Sequence, residues 1–322
     1  MKILIIRLSS IGDVLLTTPI LRCIKSQLGD VEIHYLTKPH IASLLEPNPY
    51  IDKLKVLSPT LSNTIDELKK EHYDYVVDLH NNHRSRRIRM SLRVPSSVYR
   101  KDNLDKFCMV LFKTKCLSHR HVVDRYFGAV KRLGVTDDDK GLDCFLPKNI
   151  DVASFQPSSQ LYTVIACGAQ HYTKQIPVER LEKLCSNIEG PVMLLGDKND
   201  FNRIESSGME MGSNVYNLCG KTSIVELAAL VRDAAVVVTP DTAIMHIAAA
   251  FERPVVAIWG ATDPLFGFSA FRCKHVDFVA EGLRCHPCSR MGGKKCPRKH
   301  FKCMQQQDWN KIYTTVNELL KA

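Results

Sequence analysis

No apolar run in this 322-residue chain approaches the ~20 residues that a membrane-spanning helix requires. Stretches such as 108–112 and 234–238 fall far short of that length. The amino terminus, MKILIIRLSS, holds an apolar run too short for a signal peptide. It leads into a Gly-Asp loop and not into a small-residue cleavage site, so a cytoplasmic protein is expected. Its twelve cysteines are then mostly reduced thiols. Two nucleotide signatures are missing as well. No G-x-G-x-x-G follows the first apolar strand and no G-x-x-x-x-G-K-[ST] occurs anywhere, which disfavours a dinucleotide-dependent oxidoreductase and a P-loop enzyme. Low-complexity sequence is absent.

Acidic residues are scarce in two places. Residues 81–132 carry fourteen Lys/Arg against Asp102, Asp105 and Asp124, a local balance of 14 − 3 = +11 that exceeds the +10 of the whole chain. Residues 284–302 carry seven Lys/Arg and no acid. A solvated face is the simplest reading of the second run. The first is concentrated enough to face an anionic partner, whether nucleic acid, a membrane surface or a phosphorylated substrate. Against nucleic acid, residues 84–132 hold only five irregularly spaced aromatics (Tyr99, Phe107, Phe112, Tyr126, Phe127) and no RRM, KH or helix-turn-helix pattern.

What is present is a strand–helix alternation repeated twice. Apolar strand patterns at 2–8, 31–36, 51–56 and 75–79 alternate with helical patterns at 41–45 and 64–71, and a helix at 124–133 ends at Gly134. Residues 149–160, polar with one proline and three serines, read as a domain boundary. The pattern then restarts with strands at 162–166, 192–195, 215–218, 236–238 and 255–259, and a terminal amphipathic helix at 308–320. Two doubly wound α/β domains are expected, 1–155 and 156–322, with the last helix free to pack back on the first domain.

In such sheets ligands bind at the carboxyl ends of the strands. Five loops there carry chemistry. Asp13, beside Gly12 at a helix start, is either a helix cap or a general base. Lys174, the helix start Asp241-Thr242-Ala243 and the loop with Thr262 suit a diphosphate, because a cation and free backbone N–H groups neutralise it together. Asp200 can accept hydrogen bonds from ribose hydroxyls, and His246 lies on the first turns of the Asp241 helix.

These residues sit in motifs that resemble glycosyltransferase family 9, the ADP-heptose:lipopolysaccharide heptosyltransferases. The motifs are R-L-S-S-I-G-D-V-L-L-T-T-P (7–19), G-A-Q-H-Y-T-K-Q-I-P (168–177), L-L-G-D-K-N-D (194–200), and T-P-D-T-A-I-M-H-I-A-A-A followed by G-A-T-D-P (239–264). The resemblance implies a GT-B fold, two Rossmann-like domains facing each other across a cleft. It implies an inverting, metal-independent transfer of heptose from ADP-heptose to a lipopolysaccharide inner-core acceptor, without a cofactor. Asp13 would be the base, Lys174 would hold the diphosphate and Asp200 the ribose. Backbone N–H groups of Thr242 and Ala243 would meet the phosphates, with Asp241 on sugar hydroxyls and His246 beside them. Arg84 and Arg125 match basic family positions for the phosphorylated acceptor, and Arg86, Arg87 and His121 are nearby candidates. The expected place of work is the inner face of the cytoplasmic membrane, in peripheral contact with its anionic surface.

The chain departs from the family pattern at Ala243, where glycine is usual, at Ile176, where tryptophan is usual, and at Leu16, where some members carry histidine. A transferase of the same fold using another nucleotide sugar for a different surface glycan is therefore an alternative. A non-catalytic nucleic-acid or nucleotide-sugar binder is a second one, disfavoured by the intact Asp13. Near the carboxyl terminus, Cys285, Cys288, Cys296 and Cys303 with His286 and His300 have zinc-ribbon ingredients at irregular spacing. Buried reduced thiols are the expectation there, and no metal is required.

Overall fold

The computed structural model describes residues 1–113, 120–155 and 161–321. Its contacts divide the chain into two units, the first made of Met1–Lys101 and Arg120–Pro147. That unit opens with β1 (Lys2–Ile6), α1 (Ile11–Leu15), α2 (Thr18–Gln27), β2 (Glu32–Thr37) and α3 (Pro39–Leu45). It continues through β3 (Lys53–Val56), α4 (Leu61–Lys69), β4 (Tyr75–Asp78), α5 (His83–Leu92) and β5 (Ser96–Val98). Helix α6 (Asn103–Phe112) groups with the second unit, and α7 (Val122–Val130) with the first. Gly134, at φ 77°, stops the short 3-10 turn that follows α7, as a left-handed glycine does.

The five strands are parallel in the order β3-β2-β1-β4-β5. Parallel neighbours need crossover helices, which cover both faces of the sheet and explain the unbroken apolar run of β1. On one face Ile65 and Leu68 of α4 and Ile88 of α5 share a core with Leu4, Ile6 and Val76. The right-handed crossover from β1 to β2 puts α2 on the other face, with α7 packed beside it.

The second unit runs β6 (Thr163–Ala166), α8 (Val178–Asn187), β7 (Val192–Leu195), α9 (Lys198–Ser207), β8 (Val215–Asn217) and α10 (Ile224–Arg232). Then come β9 (Val236–Pro240), α11 (Ala243–Ala250), β10 (Val255–Trp259), β11 (His275–Val279), α12 (Lys302–Gln305) and α13 (Trp309–Lys321). Six parallel strands take the order β11-β10-β9-β6-β7-β8. Strand order reverses between β6 and β9, which opens a crevice at their carboxyl ends. Ile312 and Val316 of α13 are buried with Ile165, Val238 and Ile258 in this unit's core. The terminal helix thus packs on the sheet of its own unit.

Candidate active site

At the reversal of strand order, the chain leaving β6 and the chain leaving β9 meet. The first forms a 3-10 turn, Tyr172–Lys174, whose lysine ammonium lies 2.6 Å from a carboxylate oxygen of Asp241. The same ammonium donates to the Asp241 carbonyl oxygen at 3.3 Å, and the Thr262 hydroxyl donates to the Asp241 carboxylate at 2.9 Å. Three loops therefore converge on one ion pair. Gly260 makes this possible: a Cβ there would stand 2.4 Å from the Thr173 carbonyl oxygen, so the β10 loop can press against the Lys174 turn only with glycine. The Ala261 N–H donates to that same carbonyl at 3.1 Å.

Helix α11 starts in this crevice. Its N-cap is Thr242, extended at φ −139°, and no side chain caps its first turn. The contrast with its neighbours is informative. Asp197 caps α9 and Ser223 caps α10, each within a capping box. At α11 the Thr242 hydroxyl instead exchanges a hydrogen bond with Thr239 at 3.0 Å, and Asp241 turns to Lys174 and Thr262. Asp241 and Thr242, both residue types that commonly cap helices, thus leave the backbone donors of the first turn to something else. No acidic residue occupies that turn either, so the positive end of the helix dipole is not offset locally. Ala243 is its first residue, and His246 is buried within the helix.

Asp200 is buried in the first turn of α9, where its carboxylate accepts the Asp197 N–H at 3.0 Å and completes the capping box. Burial raises its pKa, opposed by that N–H and by Arg203 3.8 Å away. A Cβ at Gly168 would fall 1.9 Å from this carboxylate, so the end of β6 and the start of α9 fit only because residue 168 is glycine. Ile176, standing where tryptophan was anticipated from the family pattern, is wholly buried in the core.

In the first unit, Asp13 lies at the third position of α1, at the carboxyl end of β1. One carboxylate oxygen accepts from the Ser10 N–H at 3.1 Å and the Ser10 hydroxyl at 2.8 Å, and the other pairs with Arg7 at 2.8 Å. Asp13 does form a helix cap, but the cap engages only one of its oxygens. Arg7 was not anticipated. Its guanidinium also donates to the carbonyls of Leu79 at 2.6 Å and Ser9 at 2.9 Å, and lies over the Tyr126 ring. Burial opposes its charge, but Asp13 together with Tyr126, Tyr99 and Tyr35 outweighs that and raises its pKa. His80 follows β4 in the same neighbourhood. Burial and the charges of Arg7 and Lys101 push it down to about 4, so it is neutral at pH 7. A lone arginine at the end of an apolar strand was the signal available for Arg7.

The basic candidates are divided between two helices. Arg84 is exposed in the first turn of α5, and Arg125 is half-buried in the first turns of α7, whose N-cap is His121. Arg87 is one turn beyond Arg84. With Lys69, His83, Arg86, Met90 and Arg93 it lines an open groove of about 790 Å³ between α4 and α5. Arg84, His121 and Arg125 do not line it.

Cys285, Cys288, Cys296 and Cys303 with His286 and His300 line one small apolar cavity of about 10 Å³. The cysteines are free thiols, and the Cys285 sulfur lies 3.8 Å from His300 Nε2. Burial pushes Cys303 up to about 12 and raises Cys288. Among the described residues no three His, Cys, Asp or Glu side chains are arranged to hold a metal ion. His286 turns instead to the loop after β10, its Nε2 2.8 Å from the Thr262 carbonyl oxygen.

With this geometry in hand, comparison with known proteins is informative. Residues 62–297 match the profile of glycosyltransferase family 9 (heptosyltransferase), a span that includes every candidate in the second unit except His300 and Cys303 and begins after Asp13. Over 290 residues the chain is 25% identical to lipopolysaccharide heptosyltransferase 1 of Campylobacter coli, covering 81% of this chain and 84% of that one. A glycosyl transferase of family 9 from Veillonella parvula shares the fold with a TM-score of 0.78 at 20% identity, over 99% and 97% of the two chains. For E. coli ADP-heptose lps heptosyltransferase II the TM-score is 0.77 at 18% identity, over 100% and 99%.

Proposed function

Because the chain belongs to glycosyltransferase family 9, we propose that it moves a heptose from ADP-heptose to a phosphorylated lipopolysaccharide inner-core acceptor. It is a glycosyltransferase of GT-B fold. The observation that carries the donor assignment is the start of α11, uncapped by side chains and flanked by the Lys174–Asp241 pair at the reversal of strand order. A nucleoside diphosphate supplies the acceptors that those N–H groups lack.

In this reading the Lys174 ammonium and the Thr242 and Ala243 N–H groups hold the diphosphate and stabilise the negative charge on departing ADP. With that charge met by protein donors, transfer needs no divalent cation. Asp241 receives hydroxyls of the donor sugar, with His246 behind it, and Asp200 receives the ribose. Asp13 takes the proton of the acceptor hydroxyl, whose oxygen attacks the anomeric carbon opposite the leaving ADP and inverts the configuration there. Ser10 and Arg7 fix the direction of both Asp13 oxygens, so the base is held in one orientation before substrate arrives. Residues 1–155 receive the acceptor and 156–322 the donor. Arg84, Arg125, Arg87 and His121 meet acceptor phosphates. The enzyme works at the inner face of the cytoplasmic membrane, in contact with its anionic surface. No helix among the described residues is long and apolar enough to cross a membrane.

The decisive experiment combines purified protein, a heptose-deficient core acceptor and a panel of nucleotide sugars. ADP-heptose should give ADP and a glycosylated core, and ADP-sugars should raise Tm more than UDP- or GDP-sugars do. Transfer from a different nucleotide sugar in place of ADP-heptose would overturn the donor assignment.

A further inference from the structure

Helix α6 is built inside out. At 100° per residue, Leu104, Phe107, Cys108, Leu111 and Phe112 share one side, and this apolar side faces outward. Leu104 is 74% exposed, Phe107 49%, Leu111 56% and Phe112 65%. The inward side holds Met109, packed on Phe266, and a buried lysine. The Lys106 ammonium lies 4.4 Å from the centre of the Phe268 ring and 5.8 Å from that of Phe266. A helix surrounded by water buries its phenylalanines and exposes its lysine. The reverse arrangement suits a helix whose outer surroundings are apolar.

A second observation states what those surroundings carry. The acid-free basic run lies alongside this helix. Lys113, just past its end, donates to the carbonyls of Cys285 at 3.2 Å and Pro287 at 2.6 Å, while Arg290 donates to the carbonyl of Asn103 at its start, at 3.5 Å. The carboxy-terminal segment therefore runs the length of α6. It presents exposed Arg284, Arg290, Lys294 and Lys295, and an apolar Met291 that is 70% exposed. Asp102 and Asp105 at the start of the helix are the local acids, outnumbered by this rim.

From these two observations we infer that α6 is an interfacial anchor, its Leu104–Phe107–Leu111–Phe112 face immersed in the outer part of a lipid layer and the basic segment lying on anionic headgroups. Apolar side chains rimmed by lysine and arginine are what such a surface binds. A second copy of the chain fits less well, because its own cationic rim would meet this one. The assignment rests on the reading of the acceptor as a membrane lipid.

Vesicle flotation of the full-length protein tests it. The wild type should float with phosphatidylglycerol-containing vesicles, release as salt is raised, and stay behind with phosphatidylcholine vesicles. Phe107→Ser/Leu111→Ser should weaken binding by about tenfold or more, since each buried apolar group adds to interfacial affinity. Lys294→Glu/Lys295→Glu should abolish the preference for anionic lipid. Both variants should keep the wild-type Tm and transfer rate on a deacylated, soluble acceptor. In a Phe107→Trp variant, tryptophan emission should shift to the blue when vesicles are added. Wild-type flotation of Phe107→Ser/Leu111→Ser, or an unshifted emission spectrum in Phe107→Trp, overturns the anchor. So does a wild-type dimer that the same double variant dissolves. Binding is read without turnover, so loss of ADP-heptose transfer with flotation intact would condemn the enzymatic reading alone.

Discussion

The Lys174 ammonium and the Asp241 carboxylate meet at 2.6 Å, so the cation assigned to the diphosphate already has an anionic partner. A bound diphosphate shares that lysine with Asp241 or displaces it. Lys174→Ala should weaken ADP binding by about 10- to 100-fold, the worth of one or two hydrogen bonds to charged groups. Asp241→Asn should leave ADP binding unchanged or tighter while slowing transfer from ADP-heptose. Calorimetry with ADP, paired with transfer rates, separates the two, and an unchanged Kd in Lys174→Ala would remove the lysine from the diphosphate site.

Asp13 combines two roles that substitution can pull apart. Asp13→Asn keeps one oxygen for the Ser10 cap but loses the base and the charge paired with Arg7, so kcat should fall by about 100-fold or more with little change in donor affinity and a modest drop in Tm. Asp13→Ala also strips the cap and leaves the buried Arg7 short of a partner, which should cost about 1–3 kcal/mol of stability as well. A transfer rate near wild type in Asp13→Asn would falsify the general-base assignment.

Acceptor recognition should follow position along the helices. Arg84→Glu and Arg125→Gln should raise acceptor KM by about tenfold and donor KM far less, and added salt should raise the wild-type acceptor KM in the same direction. Arg87→Glu, in the groove beside α4, should have a smaller effect if acceptor phosphates sit near the first turns. Equal effects of Arg84→Glu on both KM values would count against this placement.

His80 supplies a stability signature with a definite sign. Its pKa of about 4 in the fold lies below the ~6.5 of an unfolded histidine. Between those values the unfolded chain binds a proton that the folded chain does not, so stability falls as pH falls through that window. His80→Gln removes this contribution. Melting curves from pH 7 to pH 4 should show a shallower loss of Tm in the variant than in the wild type, and parallel curves would contradict the burial of a neutral imidazole there.

Much of this was legible from periodicity. The alternation of apolar runs located β1, β6, β7, β9 and β10 and placed Asp13, Lys174, Asp241 and Thr262 at strand ends. It did so because parallel strands covered on both faces must be apolar throughout. Side-chain direction was not legible. Asp241 and Thr242 are both good cap residues by type, and only the positions of Lys174, Thr262 and Thr239 show that they turn elsewhere. Arg7 looked like part of an apolar strand because its partner, Asp13, and the carbonyl of Leu79 come together only through the fold. Helices α5 and α6 were hidden inside the basic stretch, and β11 lay in a segment without clear alternation. For α6 the apolar spacing was present, but spacing tells which residues share a side and not whether that side points inward.

One small contact has practical weight. The Thr173 N–H donates to the Gly293 carbonyl at 3.1 Å, and the Gly293 N–H returns a bond to the Thr173 hydroxyl at 2.8 Å. Cys288 and Ser289 grip Ala261 through their N–H groups at 3.1 and 3.2 Å. The irregular cysteine-bearing segment is thus the splint on which the lysine turn and the β10 loop are set. Excising residues 288–294 alone, with α12 and α13 kept in the core, should cost the protein its hold on ADP before it costs the sheet its fold.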